Sequence, residues 1–102
     1  MSYASIDDIK KIEKLSKWED RDVPKTLYGM LSRAAQNYPH HDAVSYQIFS
    51  GPKDKAETFS WKELFDKSTQ AANMFRSLGI KETDVVAYVL PNANETLFSL
   101  LG

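Results

Sequence analysis

An α/β fold is what this sequence predicts, on three observations. Residues 42–49 alternate apolar and polar side chains and residues 57–60 form a second short run, the pattern of two paired strands. Residues 85–90 are apolar throughout, the pattern of a strand covered on both faces as in a parallel sheet. Around these runs lie stretches with apolar residues at helical spacing, opened by side chains suited to capping. The expected inventory is a β-hairpin, one parallel-type apolar strand and about four helices.

Ser5 reads as a helix N-cap, with Asp7 and Asp8 in the first turn where the helix dipole favours acids. Ile6, Ile9, Ile12, Leu15 and Trp18 recur every three residues, a narrow stripe that suits a surface helix lying on something else. Pro24 pushes Val23 out of the helical region, so residues 19–25 read as a linker. Thr26 is placed to cap a second helix over residues 27–38. Leu27, Met30, Leu31, Ala34, Ala35 and Tyr38 share one face of it, and Pro39 ends it. In the strand that follows, Val44, Tyr46 and Ile48 lie on one side and Ala43, Ser45 and Gln47 on the other. Residues 50–55 form the hairpin tip.

Ser60 and Glu63 make the clearest local signal. The Ser60 hydroxyl is placed to accept from the Glu63 backbone N–H, and the Glu63 carboxylate to accept from the Ser60 N–H, a capping box. Removing such a serine side chain costs ~0.5–2 kcal/mol. Phe59 and Leu64 stand at the two positions of a hydrophobic staple. The third helix carries Trp61, Leu64, Phe65, Ala71, Ala72, Phe75 and Leu78 on its apolar side. Gly79 suits a left-handed C-terminal position, with Ile80 folding back on the last turn. Residues 81–84 make a polar turn, Pro91 stops the apolar strand, and Asn92 or Asn94 caps a last helix bearing Leu97, Phe98, Leu100 and Leu101. That helix has barely two turns and ends on apolar residues, which reads as a cut inside a longer domain.

The bulk numbers exclude several functions. With 102 residues the chain is one small domain or part of a larger one. Thirteen basic and fourteen acidic side chains leave a net charge of −1, and neither sign is concentrated, so nothing argues for nucleic acid or an anionic membrane. There is no cysteine, hence no disulfide, thiolate nucleophile or cysteine zinc site. The N-terminus lacks a basic stretch followed by an apolar one, and the longest apolar run is far too short to span a bilayer. A cytoplasmic protein with no transmembrane segment is expected.

Candidate chemistry is sparse. His40, His41 and Asp42 contain metal-ligating types, but neighbours on a loop diverge and no other histidine exists to complete a site. Ser50, Gly51, Pro52 and Lys53 carry letters of a phosphate loop, yet a phosphate cradle needs several converging backbone N–H groups between a strand and a helix. Here one glycine sits between two strands. Asn94-Glu95-Thr96 matches a glycosylation acceptor, without a secretory signal to use it. Because ligands in open α/β sheets bind beyond the carboxyl ends of strands, residues 91–95 are a plausible pocket edge, with helix capping as the competing reading. No catalytic, cofactor-binding or metal residue is assigned anywhere in the chain.

The segment Ser60-Trp61-Lys62-Glu63-Leu64 resembles the first core signature of the adenylate-forming superfamily, which includes fatty acyl-CoA synthetases, luciferases and peptide-synthetase adenylation domains. Upstream, residues 26–46 are similar to the family's first helix and strand, with Pro39 and Ala43 at a characteristic spacing. Downstream, residues 71–102 are similar to its helix ending in Leu-Gly, a turn, an apolar strand, then Pro-Asn and a helix. Thr83 departs from the pattern, standing where the family usually has glycine before Asp84.

The capping and Pro24 readings above make residues 1–25 an N-terminal helix and linker, and the resemblance covers residues 26–102. Residues 26–102 are then the start of the large AMP-binding domain, truncated. It further implies a parent acyl-CoA synthetase that uses ATP and Mg2+ to adenylate a carboxylate and then forms a thioester with CoA. The family's ATP loop, nucleotide contacts and catalytic lysine fall beyond Gly102, so the fragment is expected to be inactive, with the remainder of the parent enzyme as its partner. The alternative is a free-standing interaction or oligomerisation module without catalysis. In either case the apolar run 85–90 lacks cover, and self-association is expected.

Overall fold

The computed structural model describes residues 4–102. In chain order it contains α1 (Ile6–Glu13), a 3-10 turn (Trp18–Asp20), α2 (Leu27–Asn37), β1 (Asp42–Tyr46), β2 (Glu57–Ser60), α3 (Trp61–Ser77) and α4 (Asn94–Leu101). The two strands form an antiparallel hairpin, and α3 packs against α2, α4 and both strands. Leu31 of α2, Leu64 of α3 and Phe98 of α4 are the buried apolar centre. Ala43, Val44, Phe59, Trp61, Phe65, Leu97 and Leu101 surround it. Phe59 meets Phe98 edge to face with ring centroids 4.9 Å apart, and Tyr28 meets Phe65 at 5.1 Å, separations at which aromatic quadrupoles attract.

Each expected helix start is present, with one correction. Ser5 accepts from the Asp8 N–H and Thr26 from the Gly29 N–H. At α4, however, the N-cap is Ala93, with no side-chain cap, and neither Asn92 nor Asn94 plays that part. Asn94 lies one position inside the helix and is drawn into the interior, 2% exposed, where its Nδ2 donates to the Glu57 carboxylate at 3.1 Å. The turn before α4 is held instead by Thr96, whose hydroxyl donates to the Pro91 carbonyl.

At the C-terminus of α3 the expected left-handed glycine appears, Gly79 at φ +81. The Gly79 N–H bonds the Arg76 carbonyl and the Ile80 N–H bonds that of Phe75, the paired hydrogen bonds of a Schellman motif. Leu78, assigned above to the apolar face, is the C-cap residue and is 70% exposed.

The hairpin departs from strict alternation. Asp42 faces Ser60 and Val44 faces Phe59, so Ala43 is an extra residue in β1, a bulge. Ala43 therefore packs on the core beside Val44 rather than on the opposite side. β1 also ends at Tyr46, earlier than the alternation suggests. The Gln47 side chain turns into the loop and donates to the Gly51 and Asp54 carbonyls, which leaves Ile48 and Phe49 exposed in the tip.

The larger correction concerns residues 85–90. The run is not part of any sheet among the described residues, because the two hairpin strands pair only with each other and no third strand is present to receive a ladder. The parallel-type strand is thus a segment without its sheet. Likewise α1 has its cap but no seat. No residue of it is buried, and the Ile6, Ile9, Leu15 and Trp18 side chains face outward. Between α1 and α2 the chain makes the 3-10 turn and is tied to α2 where Arg33 donates twice to the Asp22 carbonyl, 3.0 Å each.

The result is an open molecule. Its radius of gyration is 17.8 Å, against about 13 Å for a compact chain of about this length. Its accessible surface is 8558 Å² at 11.6 kDa, where a folded monomer of that mass exposes about 5,800 Å². Because the core is confined to the contact of α2, α3, α4 and the hairpin, truncations should separate sharply. Leu64→Ala is expected to cost ~2–5 kcal/mol in urea unfolding, and Leu78→Ala to stay within ~0.5 kcal/mol. Equal losses would refute this placement of the core.

Candidate functional site

The most polar cluster with defined geometry is the junction where β2 runs into α3. A helix begins with backbone N–H groups that have no partner inside it, and such a cluster is a ready anion site when left open. Here each of the first three is occupied. The Trp61 N–H donates to the His41 carbonyl at 3.0 Å and the Lys62 N–H to the Pro39 carbonyl at 3.1 Å. The Glu63 N–H donates to the Ser60 hydroxyl at 3.3 Å, while the Ser60 N–H donates to the Glu63 carboxylate at 2.9 Å. Those bonds pull the Glu63 carboxyl below its ordinary range, the backbone N–H of Ser60 being the largest cause and its hydroxyl the next. The junction is closed to ligands and is structural.

The same arrangement settles His40, His41 and Asp42. The His41 ring stacks on Tyr38 with centroids 5.4 Å apart while its carbonyl serves α3, and Asp42 enters β1. Among the described residues no group of three or more His, Cys, Asp or Glu side chains is placed to hold a metal ion. The hairpin tip is closed too. The Gly51 N–H donates to the Asp54 carboxylate at 3.0 Å and the Asp54 N–H returns to the Gly51 carbonyl, so that amide is spent within the turn.

The segment 91–95 does edge a hollow of about 250 Å³, which Val44, Tyr46, Leu97 and Leu100 also line. Asn92 and Asn94 both line it, but the Asn94 amide is committed to Glu57. That commitment also places the Asn94 amide out of reach as a glycosylation acceptor. A larger groove, about 700 Å³, lies between the end of α3, the run 85–90 and α4. Phe75, Ile80, Val86, Tyr88, Leu90 and Leu100 make it largely apolar, with Arg76 and Glu82 at its border. Sequence reading missed this groove as a feature. Its signal was the even-numbered half of residues 85–90 together with Ile80 folded back by the Schellman turn. Nothing in it is arranged for acid, base or nucleophile chemistry; it offers apolar surface.

Glu63 sets an acid-dependent element of stability. A carboxyl whose folded-state pKa is depressed stabilises the fold above its unfolded pKa, and that contribution fades as pH falls through the folded value. Thermal midpoints of the native chain should therefore fall as the medium is acidified through the carboxylate range. In Glu63→Gln the fall should be shallower. Ser60→Ala should lower stability by ~0.5–2 kcal/mol at neutral pH. An unchanged acid profile in Glu63→Gln would count against the capping-box assignment.

Comparison with known proteins places this scaffold. A family model described as AMP-binding enzyme matches residues 31–102. A marinolic acid–CoA ligase of Pseudoalteromonas sp. is 37% identical over 96% of this chain, and the chain spans 15% of that protein. A crotonobetaine/carnitine–CoA ligase of Proteus mirabilis is 37% identical over 61% of the chain and 12% of its own length. Surfactin synthase subunit 2 of Bacillus subtilis is 25% identical over 97% of the chain and 3% of its own length. No solved structure gives a significant match. With the family model covering the hairpin, the capped helix and everything after them, this chain belongs to the AMP-binding enzyme family, alongside acyl-CoA ligases.

Proposed function

We propose that this chain is the N-terminal segment of an acyl-CoA synthetase located in the cytoplasm. Residues 1–25 would form its N-terminal helix and linker, and residues 26–102 the start of its adenylation domain. The observation that carries this is the continuous match over residues 31–102 to the AMP-binding family, joined to relatives whose names pair an organic acid with CoA. The parent reaction is the joining of a carboxylate, a fatty acid in this reading, to the CoA thiol, driven by ATP with Mg2+. None of these 102 residues is assigned to catalysis, to ATP, to CoA or to the metal. The role of the segment is to found the domain, and the closed start of α3 supports that role. Its partner is the remainder of the ligase.

A second reading has its own support. The chain exposes about 2,700 Å² more than a folded monomer of its mass, so as an isolated polypeptide it would act as an association module that covers this surface with another molecule.

The 102-residue chain mixed with ATP, magnesium, fatty acids and CoA should release no AMP. A chain continued through the reading frame downstream of Gly102 should release AMP in a fatty-acid-dependent manner. Turnover by the 102 residues alone would overturn the assignment of the chemistry to other residues. A continued chain that adenylates no carboxylate would overturn the ligase reading itself.

A further inference from the structure

Residues 85–90 combine three properties that rarely occur together. The run is apolar at every position. Among the described residues it forms no backbone hydrogen bond, although such groups are obligatory donors and acceptors. Its two most exposed side chains lie away from the groove. Val86, Ala87, Tyr88 and Leu90 line the groove beside Phe75, Ile80 and Leu100, while Val85 and Val89 do not and are 93% and 101% exposed. An unpaired, uncharged strand of this kind is a template for pairing with another chain.

We propose that in the isolated chain this strand pairs antiparallel with the same strand of a second copy about a two-fold axis. The proposal rests on the association reading above and names its surface. A standard interface takes about 800 Å² from each partner, and the excess exposed surface is well above that. The segment is also self-complementary. A two-fold axis perpendicular to the new sheet brings like faces together, so residues of the same parity must face each other. With the axis at Tyr88, Val86 lies opposite the partner's Leu90 and Ala87 opposite the partner's Val89. The two tyrosines meet at the axis, and Asp84 falls opposite the partner's Asn92, outside the apolar stretch. Moving the axis to Ala87 would set Asp84 against the partner's Leu90, which disfavours that register. Pro91, without an N–H, ends the ladder. A net charge of −1 offers little repulsion between copies.

Sedimentation equilibrium of the full 102-residue chain should give a dimer at tens of micromolar. Val89→Lys changes a fully exposed side chain, so the far-ultraviolet circular dichroism should keep its helical signal while the dimer is lost. The chain has no cysteine, so Tyr88→Cys should form an intermolecular disulfide under mild oxidation, and Ser50→Cys in the hairpin tip should not. A wild-type monomer would overturn both the association reading and this one. A dimer that survives Val89→Lys and is not crosslinked by Tyr88→Cys would overturn the strand pairing and leave association standing. Open-ended growth would mean that both strand edges recruit copies, which overturns the closed pair.

Discussion

The start of α3 is the constraint on which the rest of this fold depends. Four otherwise orphaned backbone donors, those of Ser60, Trp61, Lys62 and Glu63, are satisfied within one junction. The acceptors come from three places in the chain: the turn after α2 through Pro39 and His41, the end of β2 through Ser60, and α3 itself through Glu63. Because two of these bonds run from α3 back to the turn after α2 and two close the end of β2 onto α3, they fix how α2, the hairpin and α3 meet. Once that meeting is fixed, Leu31 and Leu64 face each other and Phe59 is aimed at Phe98. The segment 60–64 thus joins these elements through its capping bonds, and the Glu63 carboxyl is lowered chiefly by the Ser60 backbone N–H.

From that junction the packing runs in one direction. α3 presents small residues where α4 returns, and the chain comes close enough that a side chain on Gly102 would collide with Ala71 and with the α3 backbone at Ser68 and Ala72. Ser68 itself is 1% exposed and its hydroxyl has no hydrogen-bond partner. Close approach of two helices explains a small residue there; it does not explain a polar one. By contrast, α1 is capped yet unseated, with no buried residue and with Ile6 and Ile9 exposed. Local capping and tertiary burial are separate conditions, and α1 meets only the first.

Much of this was legible in the sequence because it is encoded within a few residues. Ser5, Thr26, Ser60, Glu63 and Gly79 each act on a neighbour no more than a turn away, and each stands where its residue type indicates. What escaped depends on distant residues. The bulge at Ala43 is a matter of register against β2, which no run of five residues records. Asn94 has the composition of a cap, but a carboxylate 37 positions earlier in the chain outcompetes the helix terminus for it. The groove beside Phe75 required knowing that the run 85–90 lies along α3 and α4. Of the candidate segments, the starts of α3 and of the hairpin tip were legible as amides with local partners, and those partners are the ones the structure shows.

The same logic explains why a strand can be written so clearly and yet have no sheet. Periodicity and composition describe what a segment would bury, and they are properties of the segment alone. A ladder is a property of two segments. Residues 85–90 have the composition of a strand, but the hairpin strands pair only with each other and no described strand lies beside the run. The chain spans only 15% of the marinolic acid–CoA ligase it resembles, and every residue of this run is exposed. Whatever covers it must supply backbone acceptors and donors in register as well as apolar area. That requirement is stricter than hydrophobicity, and it is why a second strand, rather than a small apolar ligand in the groove, is the occupant that fits.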